Sequence, residues 1–171
     1  VNKVVQHLHG SDRMAVLSLK DPEGFKQTIK QPDRVRSNMN PEQAGTGLVQ
    51  DWWQYFEEMA ELLGASDPKR RLPWFGPDMG VMMFTTARQM ETWAHGQEIF
   101  DLFEVARINS DRIRNIAVIG VKTYGWTFVN RGQQPPGPAP YVELTAPSGE
   151  VWSFNEYSEE SFVEGSAVEF C

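Results

Sequence analysis

The stretch DMGVMMFTTARQMETWAHGQEIFDLF, residues 78–103, decides how this chain is read. Apolar residues recur along it with a helical period, so it predicts one long helix, with Asp78 at its acidic N-terminus. Setting Glu91 as the origin at about 100° per residue, His95 falls about 40° and Arg88 about 60° away. Phe84, Leu102, Val81 and Ile99 share that sector, and Ala87, Met90, Ala94 and Met83 flank it. Three ionisable side chains therefore stand inside the apolar arc. A solvated face would place them opposite it. Buried charge is costly unless it is paired or binds a metal.

Two further segments carry a helical period. Residues 1–20 place Val4, Leu8, Met14 and Ala15 on one arc, with Gly10 weakening the pattern. His7 lies on that inward arc, while His9, Asp12 and Arg13 point outward. Residues 47–64 line a stripe with Leu48, Trp52, Tyr55, Met59 and Leu62, closed by Gly64 as a C-cap; Trp52 and Trp53 read as core and rim. Between these helices, residues 21–44 are polar and hold Pro22, Pro32 and Pro41, which suggests a loop with one short helix near Glu23–Ile29.

Residues 66–77 form a proline-rich, basic and aromatic loop. A fourth helix is expected over 110–130, with Ser110 as N-cap. The segment RGQQPPGPAP, 131–140, reads as a linker. Beyond it YVELTAP and EVWSFN alternate around Ser148-Gly149, a β-hairpin signal. The expected organisation is mainly α: a helical bundle over 1–130, the linker over 131–140, and the start of a truncated α+β domain over 141–171. The ends look cut, as in a fragment of a longer protein.

The chain has 171 residues and a net charge of −7, with 40% hydrophobic and 12% aromatic residues, enough to bury a core. The acidic balance argues against a nucleic-acid partner or docking on an anionic membrane. Cys171 is the only cysteine, so no internal disulfide and no cysteine-based zinc site can form. That composition fits a reducing, cytoplasmic setting. No apolar run is long enough to span a bilayer, and there is no secretory signal.

His7, Glu91 and His95 make a set of two imidazoles and one carboxylate. Open catalytic zinc sites use that set, and so does non-haem iron. Glu and His four apart on a helix share a face, and a third ligand from a facing helix leaves room for water or substrate. The plainer reading is a buried network in which Glu91 pairs with Arg88 and His95.

Three segments carry a family resemblance: LPWFGPDMGVMMFTTARQMETWAHGQEIFD (72–101), QHLHGSDR (6–13) and VELTAPSGEVWSFN (142–155). Together they resemble metal-binding proteins related to mycothiol-dependent maleylpyruvate isomerase, within the DinB-like superfamily of helical bundles. The third segment is similar to a wyosine-base-formation domain family. The resemblance implies an up-and-down bundle whose first helix would precede Val1. It also implies a divalent metal, usually zinc, held by His7, Glu91 and His95. The implied activity is that of an isomerase or transferase which activates a small thiol such as mycothiol for reaction with a small-molecule substrate. On this reading Arg88, one turn before Glu91, is a carboxylate clamp or a support for Glu91, or forms a salt bridge to a neighbouring helix. Trp74 and Phe75 form either a lip over the site or a packed loop. Lys69, Arg70 and Arg71 read as a solvated run able to attract an anionic thiol. A non-catalytic binding module and a metal-dependent hydrolase are the alternatives.

Overall fold

The computed structural model describes residues 1–39 and 44–171, and the chain is mainly helical with a small C-terminal sheet. Two compact units divide it, Val1–Val105 and Ala106–Cys171.

In the first unit α1 (Asn2–Lys20) is followed by the short helices α2 (Pro22–Ile29) and α3 (Pro32–Met39), then by the long α4 (Gly45–Gly64). A two-residue antiparallel pair, β1 (Arg71–Leu72) and β2 (Met79–Gly80), leads into α5 (Val81–Leu102). Helix α1 is the axis of this unit. It packs most extensively on α4 and also meets α2, α3 and α5. The core gathers around the C-terminal half of α1, where Ala15, Val16 and Leu19 meet Met59, Leu63, Leu72, Val81 and Phe84.

That central position corrects the single-arc reading of α1. His9, expected outward, is 3% exposed and packs against Tyr55 of α4, with ring centroids 5.3 Å apart. Asp12, also expected outward, is fully buried. A helix enclosed by several neighbours has no outward face along most of its length, so a polar residue opposite the apolar arc is still covered.

Gly10 has a steric reason. A Cβ at this position would stand 2.5 Å from the Met39 backbone, where the end of α3 lies against α1. The connection over 21–44 is more helical than expected. Asp21 caps α2 by accepting from the Gly24 amide at 2.9 Å, and Pro22 takes the first turn. Helix α3 buries no residue, so it offers no apolar period to read. Residues 40–43 of the same connection lie outside the described residues.

The 66–77 loop is packed onto the bundle. Leu72 is fully buried. Trp74 stacks on Phe25 at 5.6 Å and meets the edge of Phe84 at 4.9 Å, while Ser18 donates to the Pro73 carbonyl at 2.7 Å. Two of the three basic residues are engaged there rather than free: Arg70 donates to the Leu19 carbonyl and Arg71 to that of Asp78. Helix α5 then starts at Val81, with Gly80 as N-cap, so Asp78 precedes β2 instead of heading the helix. Its apolar arc is buried only in the first turns, at Val81, Phe84 and Arg88, and Leu102 is 62% exposed.

In the second unit the helix expected over 110–130 is broken. A 3-10 turn at Asp111–Ile113 leads into α6 (Arg114–Lys122), and α7 (Tyr124–Val129) follows after Thr123. The hairpin forms as expected between β3 (Tyr141–Thr145) and β4 (Val151–Phe154), turning through Gly149 at φ +89°. Strand β5 (Phe162–Ser166) adds in parallel on the other side of β3, giving the order β4-β3-β5, and α8 (Ala167–Phe170) closes the unit. The run FVEGS is exposed along almost its whole length, so no alternation announces it. Val142, Leu144 and Trp152 are buried in this unit together with Ile113, Ile116, Ala117 and Ala167.

Gly10→Ala tests the close approach of α3. At an open helical site this change stabilises. Here the added methyl meets backbone, and a loss of about 1–3 kcal/mol is expected in denaturant unfolding, the usual scale of overpacking.

Candidate metal centre

Helices α1 and α5 run antiparallel where they meet, since Asp12 contacts Arg88 and His7 contacts Glu91. Their alignment brings together the three residues selected from sequence. His7 Nε2 lies 3.0 Å from Glu91 Oε2, and His95 Nε2 lies 3.5 Å from the same oxygen. The two imidazole rings are 4.4 Å apart between centroids and tilted by 60°. One ligand atom from each residue lies within 4.8 Å of the other two.

The side chains are half-buried, 40% exposed for His7 and 32% for Glu91 and His95, so the cluster opens to solvent on one side. Two imidazole nitrogens and a carboxylate oxygen suit zinc or ferrous iron better than calcium or magnesium, which favour all-oxygen sets. The residues present therefore fit a divalent transition metal.

The 78–103 reading did not single out Glu98. Its Oε1 lies 2.6 Å from His95 Nδ1, three residues along the same helix. An i,i+3 Glu beside a candidate ligand histidine is the signal that would have found it.

Arg88 sits one turn before Glu91 but is 5% exposed. Its Nη2 donates to Asp12 Oδ1 and to Ser11 Oγ, both at 2.8 Å, and its Nε donates to Asp12 Oδ1 at 3.2 Å. Of the readings open to Arg88 from sequence, this geometry is the salt bridge to a neighbouring helix. Trp52 Nε1 donates to the other Asp12 oxygen at 3.0 Å, so α4 joins the network. Ser11 Oγ in turn donates to the His7 carbonyl at 2.8 Å. Asp12, expected to point outward, is thus the acceptor on which three helices converge. Burial pushes its carboxyl above the ordinary range, against the opposing pull of Arg88 and the Trp52 hydrogen bond.

His9 stays out of the cluster. Burial, and secondarily Arg13, lower its pKa, and neither ring nitrogen finds a partner among the described residues. Trp53 is half-exposed, as expected for a rim residue.

Residues 1–100 match the model of the mycothiol maleylpyruvate isomerase N-terminal domain family. The chain belongs to that family. The match covers the helices that carry His7, Glu91 and His95 and stops before the second unit. Two curated relatives from Mycobacterium tuberculosis, the uncharacterized protein MT0041 of strain CDC 1551 / Oshkosh and the uncharacterized protein Rv0036c of strain H37Rv, are each 35% identical over 174 residues. Each alignment spans 98% of this chain and 68% of the relative. No solved structure matches the chain. Among the described residues no helix is long and apolar enough to cross a membrane.

Asp12→Ala is expected to cost about 3–5 kcal/mol, because it strands a buried guanidinium. Asp12→Ala/Arg88→Met removes both charges and should recover much of that loss. Urea unfolding of the two variants beside the parent measures the difference.

Proposed function

We propose that His7, Glu91 and His95 hold one divalent cation, zinc by donor preference, and that the protein is a cytoplasmic enzyme using this centre to activate a small thiol. The observation that carries the reading is the convergence of two imidazole nitrogens on one carboxylate oxygen from facing helices, on a side open to solvent. Membership of a family named for a mycothiol-dependent isomerase supports the thiol as co-substrate.

When bound, such a cation lowers the pKa of a water or thiol beside it and so supplies a nucleophile near neutral pH. The chain's own residues do the rest. His7 and His95 present Nε2 from two different helices, and Glu91 supplies the negative charge between them. Asp12 and Arg88 hold α1 against α5, so the three donors stay in register. Burial pushes the Cys171 thiol up to about 11, and it contacts the Ile113 carbonyl within the second unit. In this reading the reacting thiol is a free small molecule, as the family's name suggests. The reaction class is thiol-dependent isomerisation or transfer on a small unsaturated acid.

Elemental mass spectrometry of the purified chain, beside His7→Ala, Glu91→Ala and His95→Ala, tests the centre. About one zinc per wild-type chain is expected, with loss in each variant. A folded wild type without metal, or metal retained in all three variants, overturns the reading. With metal in place, isomerisation of an unsaturated dicarboxylate should require added mycothiol. Equal turnover without any thiol would overturn the thiol role.

A further inference from the structure

Helix α5 carries Glu91, His95 and Glu98 as one longitudinal stripe, at i, i+4 and i+7. The His95 ring lies between the two carboxylates. Its Nδ1 is 2.6 Å from Glu98 Oε1, while its Nε2 is 3.5 Å from Glu91 Oε2. The first is a short, charge-assisted hydrogen bond, whereas the second is at the limit of any hydrogen bond.

A neutral imidazole has one N–H to give. The contacts assign it to Nδ1, where Glu98 accepts it. Nε2 then carries a lone pair and faces the carboxylate oxygen of Glu91. Two acceptors set face to face repel each other unless a cation or proton lies between them. His7 Nε2, 3.0 Å from the same oxygen, completes the set.

We infer that Glu98 is a positioning residue for the metal centre: it fixes His95 as the Nδ1–H tautomer and holds the ring so that Nε2 is free to ligate. This rests on the metal reading above. Ligand histidines commonly donate their second nitrogen to a carboxylate, and loss of that partner costs roughly 10–100-fold in metal affinity.

The plain alternative is a surface i,i+3 ion pair, which adds little to anything. Glu98 is 57% exposed, so its removal leaves the fold intact under either account. The two accounts differ in what else moves. A surface pair alters neither metal affinity nor tautomer.

Zinc affinity is measured by competition with a chromogenic chelator for wild type, Glu98→Gln and Glu98→Ala, with His95→Ala as the loss-of-site control. In parallel, 15N NMR of the metal-free proteins reads the protonation of the His95 ring. The expected result is a weakening of roughly 10-fold or more in Glu98→Ala and a smaller one in Glu98→Gln. The metal-free wild type should show Nδ1–H, and Glu98→Ala a tautomer mixture. Equal zinc affinity in wild type and Glu98→Ala, or a wild-type ring protonated at Nε2, overturns the role of Glu98 and leaves the metal reading standing. Failure of the wild type to bind zinc overturns both.

Discussion

The buried ion pair between Asp12 and Arg88 is the constraint on which the first unit turns. It joins α1 to α5 through side chains that are almost wholly excluded from water, and Trp52 adds α4 through the second carboxylate oxygen. A pair of this kind gives little net stability relative to an apolar contact, because desolvation offsets most of the attraction. What it provides is alignment. The contact of carboxylate with guanidinium restricts how α1 can be set against α5. In that setting His7 arrives beside Glu91, just over one turn away along α1. The ion pair and the donor cluster are thus two readouts of one helix–helix register.

The unit divides its labour along α1. The C-terminal half carries the apolar core, with Ala15, Val16 and Leu19 among Met59, Leu63 and Phe84. The N-terminal half carries the polar chemistry. Helix α5 mirrors this arrangement because it runs the other way: its first turns are buried, while the stretch with Glu91, His95 and Glu98 is half-open. A rigid base and an accessible donor set on the same two helices suit a site that must hold its geometry and still admit a ligand.

Much of this was legible before the structure. The three long helices and the β3–β4 hairpin follow from the period of their apolar residues, even though α5 buries its arc only in the first turns. The meeting of His7, Glu91 and His95 was legible too, since polar residues inside an apolar arc have few explanations. Two kinds of feature stayed hidden. Helix α3 and strand β5 bury little, so their sequences carry no pattern. His9 and Asp12 were misjudged because the arc argument grants every helix an outward face, and α1 has almost none. Glu98 looked like an ordinary solvated charge, and its significance depends on the orientation of the His95 ring, which no residue spacing reveals.

Residues 7–12 of α1 touch a different neighbour at nearly every step. His7 meets Glu91, His9 meets Tyr55, Gly10 admits the Met39 backbone, Ser11 accepts from Arg88, and Asp12 receives Arg88 and Trp52. Each partner sits at its own azimuth around the helix. Inserting or deleting one residue inside this hexapeptide would turn His7 by about 100° relative to Asp12. No sideways shift of the backbone could restore both partners at once. The segment therefore behaves as a fixed-length gauge, whose residue count matters as much as the chemistry of its side chains.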